Sequence, residues 1–202
     1  MYQTFHQGFI ELIVGCMFAG KTEELIRRIS VLRRAGKNVL VFKPNFDNRK
    51  DQALVYSHSS NSVSAIFIQN PDDVTKIIAD SKVKIDALAF DEVQFFPPEF
   101  CSFIEKLANQ GYRIICAGLD RGFNDEMFIT MMRLLSMAEF VTKLNAICIL
   151  CGEPATKTQR INEKKEPIGP DEVQNVIGGS DVYQARCRKC FKYFSQKQAI
   201  FC

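Results

Sequence analysis

No stretch of this chain approaches the ~18 consecutive apolar residues of a membrane-spanning helix. Its first apolar run, Phe9–Val14, is already interrupted by Glu11. Neither sign of charge is in excess: 26 Lys and Arg face 23 Asp and Glu, a net of +3. That balance is too weak to argue for a nucleic-acid surface, whereas a small anionic substrate needs only a local positive site. The opening seven residues have neither a basic region nor an apolar one, so no secretory signal is expected. There is no low-complexity tract and no internal repeat. These absences predict a globular cytoplasmic protein with neither membrane nor nucleic acid as a partner.

What is present is one domain's worth of chain plus a small appendage: 202 residues, 47% hydrophobic and 24% charged. That is enough to bury a core without disulfides. Strand-like runs at 9–14, 38–43, 63–68, 84–90, 112–117 and 140–147 alternate with helical periodicity at 21–35, 71–80, 98–109 and 127–137. Residues 45–61 read as a polar loop. The alternation predicts an α/β domain with a largely parallel sheet over residues 1–147. Beyond Cys148 the periodicity ends while Gly, Pro and charge accumulate, so residues 148–202 form a second, smaller unit.

Gly15, Cys16, Met17, Phe18, Ala19, Gly20, Lys21 and Thr22 fit the phosphate-loop pattern G-x-x-x-x-G-K-[ST]. By composition alone the pattern arises on the order of once in a hundred chains of this length. Here it follows a strand and precedes a helix, where its mechanism requires it to be. Backbone N–H groups close on the β-phosphate, Lys21 reaches the β- and γ-phosphates, and Thr22 ligates Mg²⁺. Asp91 and Glu92 end the apolar run Ala87–Phe90 as the second half of such a site. Asp91 would hold Mg²⁺, and Glu92 would face the attacking nucleophile. A strand between the phosphate loop and this acidic pair, with a glutamate beside the aspartate, points to the RecA-like branch of P-loop folds.

Eight cysteines include two C-x-x-C pairs, Cys148/Cys151 and Cys187/Cys190. In a chain with no export signal, four such thiolates read as a closed structural Zn²⁺ site rather than disulfides. The interval between the pairs, about 35 residues, is longer than a zinc ribbon needs. Its Gly, Pro and charge content predicts a segment over residues 152–186 that is mobile alone, tied at its base by zinc, and able to close as a lid.

In order, these motifs resemble one family, the cytosolic-type (type II) thymidine kinases. The resemblance runs from Phe9 to about Phe191. It includes Gly15-x-Met17-Phe18-Ala19-Gly20-Lys21-Thr22-Glu23-Glu24-Leu25, then Phe90-Asp91-Glu92-x-Gln94-Phe95-Phe96, then Gly118-Leu119-Asp120. The Lys157–Arg160 segment and the Val176–Tyr183 segment complete it. Cys16 departs from the proline often found there. The resemblance implies transfer of the ATP γ-phosphate to the 5′-OH of thymidine, with Glu92 as general base. It implies a zinc-anchored lasso loop over the nucleoside. ATP and phosphate contacts would come from Gly15–Thr22, Asp47, Arg49, Asp91 and Gln94. Met17, Leu119, Phe123, Phe128 and Tyr183 would wall the nucleoside, and Gln174, Asn175, Val176, Ile177 and Gly178 would read the thymine edge. It further implies a homotetramer inhibited by thymidine triphosphate. Without the resemblance, Phe123, Phe128 and Tyr183 read as packing residues, and Arg49 and Arg160 as solvated charges. The competing reading is a P-loop ATPase whose zinc module engages nucleic acid; there Glu92 would activate water.

Overall fold

The alternating direction of side chains along each strand decides which residues meet which helix. The computed structural model describes residues 8–45, 54–56, 62–169 and 179–193. In chain order its elements are β1 (Phe9–Gly15), α1 (Lys21–Arg34), β2 (Val39–Pro44), β3 (Leu54–Tyr56), β4 (Ser62–Ser64), β5 (Ile66–Ile68) and α2 (Pro71–Ala79). There follow β6 (Ala87–Phe90), a short 3-10 turn at Val93–Phe95, α3 (Phe100–Asn109), β7 (Arg113–Gly118), α4 (Ile129–Met137) and β8 (Phe140–Leu144). The remainder is β9 (Ala146–Ile147), β10 (Pro154–Ala155), β11 (Lys157–Arg160) and β12 (Tyr183–Arg186).

Six strands form one sheet in the order β5-β2-β6-β7-β1-β8, and every pairing in it is parallel. Ile10, Leu12 and Val14 of β1, with Leu88 and Phe90 of β6 and Ile114 and Cys116 of β7, point to the face covered by α2, α3 and α4. Ile13, Ala87, Ala89, Ile115 and Ala117 point to the other face, against Leu25, Ile26, Ile29 and Leu32 of α1. Glu11 also falls on the α1 side and is buried. It is tolerated because Arg28 and Arg113 meet it at 2.6 and 2.5 Å.

The helix signals act as the sequence suggests. Gly36 follows the α1 C-cap at φ 74°, and the Asn70/Asp73 capping box precedes Pro71 in α2. α4 starts at Ile129, later than its periodicity predicts, because Met127 pairs with Arg121 and Phe128 is extended. The expected strand 63–68 divides at Ala65 into β4 and β5. β4 pairs with β3, a strand inside the segment read as loop. β7 lies between the phosphate-loop strand β1 and the acidic strand β6, the RecA-like arrangement.

The expected strand 140–147 breaks at Asn145: β8 belongs to the large sheet, β9 pairs antiparallel with β10. The described parts of the interval between the cysteine pairs contain strands. β11 and β12 form an antiparallel ladder at its base, and Ile161 bridges Pro167. Lys157, Thr158, Gln159 and Arg160 are all buried, which corrects the reading of Arg160 as a solvated charge.

Candidate active site

The phosphate loop turns on backbone geometry that only some residues permit. Gly20 has φ 78°, and a Cβ on Gly15 would stand 2.4 Å from the Leu144 carbonyl of β8, so both positions require glycine. Phe18 accepts φ 65°, uncommon for a residue with a side chain. Lys21 Nζ donates to the Cys16 carbonyl at 2.8 Å. Desolvation lowers its pKa, opposed by the nearby Glu92, Cys16, Asp91 and Asp120. The loop rests on the C-terminal segment: the Met17 N–H donates to Thr158 Oγ1 at 3.1 Å, and the Cys16 thiol to the Ala155 carbonyl at 3.3 Å. Cys16 shares a small buried cluster with Ala146, Cys148, Ala155, Ala185 and Cys187.

Asp91 and Glu92 stand at the end of β6, across β7 from that loop. Asp91 is almost wholly buried; its Oδ1 accepts the Glu92 N–H at 3.0 Å. Its Oδ2 accepts no hydrogen bond, and the Lys43 ammonium of β2 lies 3.4 Å away. Burial, reinforced by the Glu92 charge and opposed by Lys43, holds the Asp91 carboxyl up at about 6. Glu92 has left-handed backbone, φ 54°. The strain turns the chain out of the strand and carries the next residues into the 3-10 turn. Gln94, expected among the phosphate contacts, donates from Nε2 to Glu92 Oε2 at 2.6 Å and accepts the Leu119 N–H at 3.0 Å.

The aromatic residues singled out in sequence converge in two groups around the loop after β7. Phe123 is buried with its ring 6.5 Å from Tyr183, and the Arg160 guanidinium lies over it at 5.3 Å. Phe128 meets Phe95 edge-on at 6.1 Å. Leu119 and Met17 are half-buried. Asp47, Arg49, Gln174, Asn175, Val176, Ile177 and Gly178 lie outside the described residues.

Several contributors escaped the sequence. Phe95 alternates with buried Phe96 and keeps 39% of its surface exposed beside Phe128. Lys43 needed only the observation that β2 neighbours β6. Asp125 at φ 63° receives the Lys157 ammonium at 2.5 and 2.6 Å, tying β11 to the loop that carries Phe123. No spacing rule connects those two positions.

The four pair cysteines come together, with all Sγ atoms within 4.8 Å of one another. Four thiolates about 2.3 Å from a tetrahedral Zn²⁺ stand about 3.8 Å apart, and Cys151 Sγ to Cys187 Sγ is 3.6 Å. Burial opposes ionisation of Cys148, yet backbone N–H groups of Cys187, Leu150 and Cys151 outweigh it and hold the thiol at about 6. The Cys190 N–H lowers the Cys187 thiol in the same way. The donor set fits a structural zinc ion and leaves no position for chemistry.

The family model described as thymidine kinase matches residues 8–191. A thymidine kinase of Mycoplasma mycoides subsp. mycoides is 44% identical over 192 residues, covering 94% of this chain and 91% of that one. One from Mycoplasma capricolum subsp. capricolum is 43% identical over the same shares. Among solved structures, domain III of the Thermotoga maritima replication initiation protein DnaA has a TM-score of 0.40 and 19% identity, over 71% of this chain and 58% of that one. The Pif1 helicase of Candida albicans has a TM-score of 0.43 and 14% identity, over 68% and 36%. Likenesses that faint carry no argument. The match along nearly the whole chain does: this protein belongs to the thymidine kinase family.

Proposed function

We infer that the protein transfers the γ-phosphoryl group of ATP to the 5′-OH of thymidine, giving thymidine monophosphate and ADP. The observation that carries the reading is the family match over residues 8–191. The phosphate loop and Asp91-Glu92, at the C-terminal ends of β1 and β6 with only β7 between those strands, supply chemistry that suits it. In the step, the thymidine 5′-oxygen bonds to Pγ as the bond from Pγ to the ADP oxygen breaks, and the hydroxyl proton passes to Glu92. Lys21 exchanges the Cys16 carbonyl for the β- and γ-phosphate oxygens, and the loop's N–H groups hold the β-phosphate. Thr22 and Asp91 are the residues suited to hold Mg²⁺, and the buried Asp91 Oδ2, which accepts no hydrogen bond and has the Lys43 ammonium 3.4 Å away, is the atom that would take it. Bound there, Mg²⁺ supplies charge neutralisation at the β- and γ-oxygens.

Met17, Leu119, Phe123, Phe128 and Tyr183, with Phe95 added, wall the nucleoside, and Gln174–Gly178 read its base edge. Asp47 and Arg49 contact phosphate and metal from the polar loop. The segment between the cysteine pairs, 152–186, anchored by zinc and by the β11–β12 ladder, closes as a lid that keeps water from the γ-phosphate. The chain divides near residue 147 into an ATP-binding unit and a zinc unit, consistent with the change of strand partners at Asn145. We extend the reading to a cytoplasmic homotetramer inhibited by thymidine triphosphate; among the described residues no helix is long and apolar enough to cross a membrane.

The family match favours this reading over a nucleic-acid-dependent ATPase. ADP release measured with each nucleoside and with DNA or RNA tests it. Thymidine should be required for turnover and should raise the melting temperature with ATP present. Stimulation by nucleic acid without thymidine would overturn it.

A further inference from the structure

Gln94 is a buried side chain with both ends committed. Its amide nitrogen holds the Glu92 carboxylate at 2.6 Å, and its oxygen takes the Leu119 N–H at 3.0 Å, although Leu119 belongs to a different strand end. Gly118 makes room for it: a Cβ there would stand 2.5 Å from Gln94 Oε1. Glu92 needs such a hold. Its backbone is left-handed, and an unrestrained carboxylate just beyond a strained turn would sample rotamers that miss the substrate hydroxyl.

We propose that Gln94 is a positioning residue that aims Glu92 and couples it to the nucleoside wall at Leu119. A nucleoside packed against Leu119 then presses on the same peptide N–H that fixes Gln94, so correct seating and correct aim of the base are one event. This rests on the reading of Glu92 as general base. Misplacement of a catalytic group by about 1 Å costs on the order of 100-fold, so the loss should fall on kcat. Glutamate at this position keeps an acceptor for Leu119 but cannot donate to Glu92, which separates the two arms.

The test is steady-state kinetics on Glu92→Gln, Gln94→Ala, Gln94→Glu and the pair Gly118→Ala and Gln94→Ala/Gly118→Ala. Each variant's melting temperature and ATP affinity are measured alongside. Glu92→Gln should lower kcat by ~10²–10⁴ with a smaller change in thymidine KM. Gln94→Ala and Gln94→Glu should each lower kcat by about 10–100-fold, with ATP affinity unchanged. Gly118→Ala should lower kcat at least as far as Gln94→Ala, and the double variant should fall well short of the product of the two losses, because both disturb the Gln94 contact, although the new Cβ also crowds Met131 at 3.0 Å and Val93 at 3.1 Å. If both Gln94 variants keep kcat within about threefold while Glu92→Gln is impaired, the positioning role is refuted and the base stands. If ATP affinity falls with kcat intact, Gln94 is a phosphate contact and the proposal fails. If Glu92→Gln turns over normally, the general-base reading fails and the proposal with it.

Discussion

Asp125→Asn isolates one charge at the junction between the zinc-anchored ladder and the loop carrying Phe123. Lys157 is 5% exposed, and its ammonium meets both Asp125 oxygens at 2.5 and 2.6 Å, with the rings of Phe191 and Tyr193 within 5.7 and 5.6 Å. Asparagine accepts the left-handed φ of 63° as readily as aspartate, so the backbone adds no penalty. What changes is that a buried ammonium loses its counter-charge. Breaking such a pair costs about 3–5 kcal/mol, and the retained amide oxygen puts this case near 3 kcal/mol. The second contact, Arg121 to Asp125 at 3.3 Å, is only partly buried and contributes less. For a chain of this size the melting temperature should fall by about 6–12 °C. Differential scanning calorimetry on the zinc-loaded protein measures it, and 1 M salt should not mimic the effect because the pair is shielded from solvent. Removing the cation as well, in Lys157→Met/Asp125→Asn, should recover more than half of the loss. A drop below about 2 °C in the single variant, or no recovery in the double, would refute the reasoning.

Purified protein should carry one Zn²⁺ per chain, and Cys187→Ser/Cys190→Ser should lose it; full retention by metal analysis would remove those thiols from the site. Limited trypsinolysis should cut at exposed Lys164 and Lys165 and spare Lys157 and Arg160, which the β11–β12 ladder buries. Thymidine should slow that cutting far more than cytidine does, and Tyr183→Ala should abolish the protection; equal rates with and without thymidine would sink the lid. Asp91, held up at about 6, protonates as pH falls through that value and then cannot bind a cation. Mn²⁺ binding followed by electron paramagnetic resonance should therefore weaken about tenfold per pH unit below pH 6 and hold steady above it. An Asp91→Asn variant with the same pH slope would show that another group is responsible.

Recognition from sequence succeeded where the signal is local. The phosphate loop is a contiguous run between a strand and a helix, and the turn it needs is written in Gly15 and Gly20. The C-x-x-C pairs carry their chemistry in their spacing, and the two halves meet within 4.8 Å. The apolar runs of β1, β6 and β7 read as strands because both faces of the parallel sheet are covered. After Cys151, Lys157, Gln159 and Arg160 have the polar side chains of surface residues, yet all three are buried. A polar run reads as a strand only once its partner, Tyr183–Arg186, is known.

Periodicity, turn residues and ligand spacing thus determined the four helices and the strands of the large sheet, the phosphate loop, the acidic pair and the two C-x-x-C pairs, since each depends on residues near in the chain. Tertiary structure alone decided that β7 separates β1 from β6, that Gln94 joins Glu92 to Leu119 across 25 residues, and that Lys157 is buried against Asp125 across 32. Those contacts follow from which strands become neighbours and which side chains desolvate together, and both are consequences of the assembled core rather than of any local run of residues.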